Sequence, residues 1–287
     1  MIEGARRSGD LTGRAFQEPP CHLHIDDAKT SFARNRRQYD LIVAEPSNPW
    51  VGGVASLFSD QFYGQIKRYL APGGTFVQWV QTYEINVPLI STIITALGKH
   101  FDESTVLRVA HALFGISRNE AGVVSRYDRF DYEHSTPPFV EPITALCGLD
   151  ALGLYCDLLM QAALAKELIN DDPPRDFSSS SDAFAHESKA QHDIFASVAW
   201  ATRRCAEQLL KKDPPTVALI VDALVARKYR IFLQLALKLA ATAPRQVGDR
   251  ARQLLMRPDL LGQSWCAKDY GDLARVSFGV LNQQDQD

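Results

Sequence analysis

Between Tyr39 and Gln81 the chain runs YDLIVAEPSNPWVGGVASLFSDQFYGQIKRYLAPGGTFVQWVQ, and the order of patterns within it restricts the fold more than any other stretch. Leu41-Ile42-Val43-Ala44 is an uninterrupted apolar run of strand length, the signature of a strand covered on both faces. A polar loop carrying Glu45, Ser47 and Asn48 follows. From Ser56 to Leu70 apolar residues return at helical spacing, at Leu57, Phe58, Phe62, Ile66, Tyr69 and Leu70. Pro72-Gly73-Gly74 closes that helix, and Thr75 to Val80 resumes as a second strand. Strand, helix and strand in this order predict a parallel pair joined by a crossover. In open sheets of that kind ligands bind outside the carboxyl ends of the strands, which is where Glu45 and its loop begin. Nothing upstream supplies the Gly-rich first turn that usually holds a nucleotide-like cofactor.

The flanking sequence extends this pattern and then abandons it. Cys21 to Asp26 (CHLHID) alternates as a short strand would, and Asp27 is placed to cap a helix from Ala28 to Arg37. Val87 to His100 is helical, with Leu89, Ile90, Ile93, Ile94 and Leu97 on one face. Thr105 to Ala110 and Leu113 to Ile116 read as closing strands. The expected fold class is therefore α/β. Residues 1–125 form a partial doubly wound, Rossmann-like sheet, and residues 126–287 form an all-helical C-terminal region. Within that region Asp171 to Ser181 (DDPPRDFSSSS) reads as a mobile linker, near 171–182. Asp213-Pro214-Pro215-Thr216 opens a further helix, with Pro accommodated in its first turn. The long apolar run from Leu219 to Leu239 is interrupted by Arg227, Lys228 and Arg230, giving two or three helical hairpins. No repeat period emerges.

Composition narrows the function classes. A formal net charge of −3 over 287 residues gives no overall pull toward nucleic acid or an anionic membrane. Five cysteines without a CxxC spacing argue against a zinc site or a disulfide framework and fit a reducing cytosol. No apolar run reaches the roughly 18–20 residues that span a bilayer, and MIEGARRSGDLTGR has no apolar core of a secretory signal. The reading is a cytoplasmic protein that binds no nucleic acid and no metal. Cys21, His22 and His24 do not alter it, because alternation sends the two histidines to one face and the cysteine to the other.

The candidate chemistry lies in carboxylates at strand ends. Asp26 and Asp27 end one expected strand and Glu45 the next; neighbouring strands lie about 5 Å apart, so the three acids would line one cleft. Capping a helix or solvating a loop is the competing use, for Asp26 above all. Trp79, Trp50 and Tyr83 would supply an aromatic wall for a cation or an adenine ring. Core packing is the simpler role for Trp79, and a pocket position suits Trp50. His186 and His192 read as solvated, and Ser178 to Ser181 lacks the GxSxG context of a nucleophile.

Taken together, His24-Ile25-Asp26-Asp27-Ala28-Lys29, Tyr39-Asp40-Leu41-Ile42, Pro49, Leu57-Phe58, Phe62-Tyr63 and Leu70-Ala71-Pro72-Gly73-Gly74 resemble the spermidine synthase family. Those enzymes are aminopropyltransferases on the class I S-adenosylmethionine-dependent methyltransferase fold. EPSNPWVGGVASLF followed by QWVQTYE is similar to a bacterial branch often fused to membrane segments. The resemblance runs from about Ile2 to Ala110. It implies that Asp27, with Asp26 and Ala28 beside it, holds the adenine of S-adenosylmethionine or its decarboxylated form. It implies that Glu45 deprotonates the attacking amine, and that Asn48, with Ser47 and Trp50, contacts the acceptor. Asn48 stands where the family has a second acid, and an amide cannot balance an ammonium, which points away from putrescine. Met1 to Arg6 resembles the helix after the family's second strand. The resemblance therefore leaves the first two strands, the glycine loop and the ribose acid without counterparts. Either a start codon lies upstream or the product is a catalytically inactive remnant acting as a binding protein. The expected partners are a small amine, a second copy of the chain, and a protein held by the C-terminal helices.

Overall fold

The computed structural model describes residues 27–34, 37–46, 53–80, 87–119, 122–125, 136–171, 174–179 and 193–280. Packing divides the chain into two units, residues 1–45 with 65–79 and residues 46–64 with 80–287.

In the first unit, helix α1 (Ala28–Arg34) begins where the sequence places its cap. The Asp27 carboxylate accepts from the Thr30 backbone N–H at 3.1 Å and from the Thr30 hydroxyl at 3.2 Å. That satisfies one of the orphan donors of the first turn. Strands β1 (Tyr39–Ala44) and β2 (Leu70–Gln78) pair in parallel, as the strand–helix–strand order requires. Leu41 lies opposite Thr75, Val43 opposite Val77 and Ala44 opposite Gln78. The Trp79 N–H donates to the Ala44 carbonyl at 2.8 Å and prolongs the ladder. Between the strands, residues 46–64 belong to the second unit: there the chain forms a 3₁₀ turn, Val54–Phe58, and starts helix α2 (Asp60–Tyr69), which returns to the first unit from Gln65. Phe32 of α1 stacks on Tyr69, 5.1 Å between centroids, and meets Tyr39 edge-on at 5.7 Å.

Two expectations for this unit need correction. The Pro72-Gly73-Gly74 turn does not precede β2; it lies inside it, at an irregularity where the register shifts between Tyr39 and Leu41. Gly74 is required there, because a Cβ would stand 2.8 Å from the Tyr39 carbonyl oxygen. Nor is β1 covered on both faces. Ile42 is buried, but Leu41 is 56% and Val43 64% exposed. With alternation along each strand, these two share a face with Val77, itself exposed. The apolar run predicted a strand between two covering layers, and one of its faces is open.

The second unit is mostly helical. After the 3₁₀ turn and the first residues of α2 it continues with α3 (Val87–Gly98) and α4 (Glu103–Phe114). The closing strands expected at 105–110 and 113–116 are largely α4 instead: Val106, Ala110 and Phe114, four residues apart, are buried together on one face of it. A short β-branched run is ambiguous by periodicity, and the four-residue spacing decides it. The hairpin lies just downstream, as β3 (Ile116–Asn119) and β4 (Gly122–Ser125), paired antiparallel.

Next come α5 (Pro137–Cys147) and α6 (Leu149–Ala165). After these, the region expected to be all helix contains a second antiparallel hairpin, β5 (Ile169–Asp171) and β6 (Pro174–Asp176). The remaining helices are α7 (Ile194–Lys212), α8 (Val217–Val225), α9 (Arg230–Thr242), α10 (Pro244–Val247), α11 (Asp249–Leu255) and α12 (Ala267–Ser277). Helices α5, α6 and α7 pack together, α8 packs on α9, and α9 packs on α12. One apolar core joins all of these, with Leu158, Leu159, Val198, Ile220 and Phe232 sealed from solvent. The break at Arg227–Arg230 does separate two helices that pack on each other.

Of the segment read as a linker, the described residues 171 and 174–179 are held against the start of α9. The β5–β6 hairpin caps α9 from outside it. Asp176 Oδ2 accepts the Arg230 N–H at 2.6 Å, and the buried Ser178 Oγ accepts the Ile231 N–H at 3.2 Å. Asp176 Oδ1 in turn accepts from Ser178 N–H and Oγ–H, while Asp171 Oδ1 accepts from Lys228 Nζ and the Tyr229 hydroxyl. Asp and Ser are cap residues, here supplied from a distance of some fifty residues in sequence.

Candidate functional site

The parallel pair fixes where a site can form. Glu45 is the first residue past the carboxyl end of β1, and its side chain is exposed. Asp27 belongs to the same unit, exposed at the amino end of α1, and its carboxylate is engaged with Thr30. Ala28 opens α1. Asp26, Ser47, Asn48 and Trp50 lie outside the described residues, as do Cys21, His22, His24, Tyr83, His186 and His192. Trp79, expected in the core, is instead 53% exposed just past β2. The ladder bond to Ala44 holds its backbone next to the end of β1, so its ring joins the open face rather than a core.

The described cysteines are buried thiols. Cys147, Cys156, Cys205 and Cys266 are free and buried. Burial pushes the thiols of Cys156 and Cys205 up to about 12, so both stay protonated at neutral pH and are inert as nucleophiles. Among the described residues no group of His, Cys, Asp and Glu is arranged to hold a metal ion, and no helix is long and apolar enough to cross a membrane.

A charged cluster that sequence reasoning missed lies in the second unit. Asp60, the first residue of α2, is 2.5 Å from His100 Nε2 and 3.4 Å from Lys99 Nζ. The hydrogen bond from His100, more than the Lys99 charge, holds the Asp60 carboxyl below its ordinary value. The signal present in the sequence was Ser59-Asp60 ahead of an apolar helix, the usual mark of a helix start. Ser59 is that cap, its Oγ accepting the Phe62 N–H at 3.2 Å.

In open α/β sheets ligands bind beyond the carboxyl ends of parallel strands, the position that Glu45 occupies. Comparison with known proteins shows what this segment is similar to. Residues 2–111 match the spermine/spermidine synthase domain. The polyamine aminopropyltransferase of Nitrosomonas europaea is 29% identical over 87 residues, 30% of this chain and 26% of that protein. The polyamine aminopropyltransferase of Enterobacter sp. is 35% identical over 63 residues, 22% of each chain. That of Korarchaeum cryptofilum is 21% identical over 99 residues, 34% of this chain and 30% of the relative. No solved structure matches. Residues 2–111 are thus similar to a spermine/spermidine synthase domain, and the chain spans about a quarter of the length of the curated relatives it matches.

Proposed function

We propose that this chain transfers an aminopropyl group, or a methyl group, from decarboxylated S-adenosylmethionine or S-adenosylmethionine to a small amine. The observation that carries the reading is Glu45, exposed one residue beyond a parallel strand within the segment that matches the spermine/spermidine synthase domain. In this reading Glu45 takes a proton from the acceptor ammonium. The amine lone pair then attacks the carbon next to the sulfonium, the C–S bond breaks, and its electron pair stays on sulfur as the neutral thioether leaves. The chemistry needs no metal; alignment and a neutral nucleophile supply most of the acceleration. Asp27, flanked by Asp26 and Ala28, would hold the adenine, and Ser47, Asn48 and Trp50 would contact the acceptor. Residues 1–125 would carry the reaction, and the helices of residues 126–287 would serve association with a second copy or another protein.

The test is product analysis by mass spectrometry. Each donor is offered with an equal mixture of putrescine and a monoamine of similar length. Transfer to an amine, with the monoamine used at least as well as putrescine, is the expected result. Asn48→Asp should shift use toward the diamine. Strong putrescine preference that this substitution leaves unchanged would remove Asn48 from the acceptor site.

One observation favours a second reading, a binding protein without catalytic activity. The Asp27 carboxylate caps α1, a use that competes with holding a nucleoside. Product from neither donor, together with no measurable nucleoside affinity, would select this reading.

A further inference from the structure

The loop that follows Glu45 rejoins the described chain at Gly53, and from there a chain of short polar links leads to His100. The Ser56 hydroxyl donates to the Gly53 carbonyl at 2.8 Å, and the Ser59 hydroxyl donates to the Ser56 carbonyl at 2.7 Å. Ser59 Oγ accepts from Phe62 N–H at 3.2 Å, and the Ser59 carbonyl accepts from Tyr63 N–H at 3.1 Å. The next residue, Asp60, meets His100 at 2.5 Å and Lys99 at 3.4 Å. His100 is itself fixed, its N–H bonded to the Leu97 carbonyl at the end of α3. Its ring lies against Gly64 on the next turn of α2, so closely that a Cβ at Gly64 would stand 3.0 Å from Cε1. Phe58, Phe62 and Tyr63, along the same stretch, are buried.

An exposed ion pair by itself contributes little. This one differs in three respects. The His100 side chain is only 28% exposed, the pair closes a contact about forty residues apart in sequence, and the imidazole packs so closely on Gly64 that a Cβ there would make it give by a few tenths of an ångström. A single hydrogen bond to a charged group is thus coupled to a buried apolar turn and to a serine-linked path ending at Gly53.

We infer that Asp60 and His100 are positioning residues, a latch that sets the segment Gly53–Tyr63. The latch stands on its own geometry; its consequence for acceptor binding rests on the proposed function. Lys99 reinforces Asp60, and Gly64 is the seat of the ring.

Hydrogen–deuterium exchange of the intact chain tests it without any activity. His100→Ala should speed exchange in peptides covering residues 54–63 by about tenfold, the scale of one lost charge-assisted hydrogen bond. Exchange in α6 should stay unchanged. His100→Gln keeps a donor and should restore most of the protection, and Gly64→Ala should act in the same direction as His100→Ala by displacing the ring. No local increase in His100→Ala, or an equal increase in α6, would overturn the latch. In the transfer assay the same variants should raise the acceptor KM more than they lower kcat. Faster exchange with an unchanged acceptor KM would overturn the acceptor reading of the loop and leave the latch standing.

Discussion

Leu158 and Leu159 on α6 are sealed from solvent, whereas Leu41 and Val43 on β1, side chains of the same kind, stand more than half exposed. The two regions differ in what surrounds an apolar run. The helical unit stacks α5, α6 and α7 and pairs α8 with α9, so each helix presents its apolar stripe to another. The β1–β2 pair is a two-stranded parallel sheet, an arrangement normally stable only between covering layers. Hydrophobic content therefore says that a segment is built for burial. It does not say that the burial is complete within the residues described.

The sharpest way to break this comparison is to truncate one side chain in each region. Leu159→Ala should lower the unfolding free energy by about 2–5 kcal/mol, as large-to-small changes in a packed core do. Val43→Ala, on the open face, should change it by less than about 0.5 kcal/mol. Urea titrations of both variants check the contrast, and equal losses would mean that the β1 face is covered in solution. Within the β pair, Gly74→Ala should cost about 1–3 kcal/mol, because the added Cβ meets backbone rather than a side chain that can swing away. Faster amide exchange confined to residues 70–78 would localise that effect.

A smaller effect separates the hairpin of the helical unit from a mere linker. Asp176→Ala removes the acceptor of Arg230 N–H and of Ser178, and should cost about 1 kcal/mol, the usual loss of a helix cap. Asp176→Asn, which keeps an acceptor, should recover part of it; thermal melts of the two variants decide. The smallest expected effect concerns pH. The Asp60 carboxyl is held below its ordinary value of 3.8 by His100, so its folded form binds a proton less readily than its unfolded form. The resulting stabilisation is fully present above the ordinary value and is lost as pH falls through the lowered one. Asp60→Asn should flatten the acid limb of a stability-versus-pH profile below about pH 4 and leave the profile above it unchanged in shape.

What the sequence made legible follows the range of the interactions involved. The parallel pair, the Asp27 cap and the helical break at Arg227–Arg230 rest on local patterns, and each is found where its residues place it. Local patterns were misread where two periods compete: Val106, Leu107 and Val109 suit a strand, and only the joint burial of Val106, Ala110 and Phe114 resolves α4. Partnerships between distant residues left no trace. Asp176 and Ser178 are ordinary loop residues until α9 is brought to them, and Asp60 pairs with a histidine forty residues away. The candidate site divides in the same way. Glu45 and Asp27 could be placed at element ends, and Asp27 as a cap, from pattern alone; the structure adds that the Asp27 carboxylate also takes the Thr30 hydroxyl.

The most direct measurement follows from that last point. Turnover with decarboxylated S-adenosylmethionine and affinity for methylthioadenosine should be determined side by side for the unaltered chain, Glu45→Gln and Asp27→Asn, the last chosen because Asn preserves the helix cap. If Glu45 is the base, Glu45→Gln lowers turnover by about 10²–10⁴-fold and leaves nucleoside affinity unchanged, whereas Asp27→Asn weakens the nucleoside first. Turnover in Glu45→Gln equal to that of the unaltered chain would contradict the account.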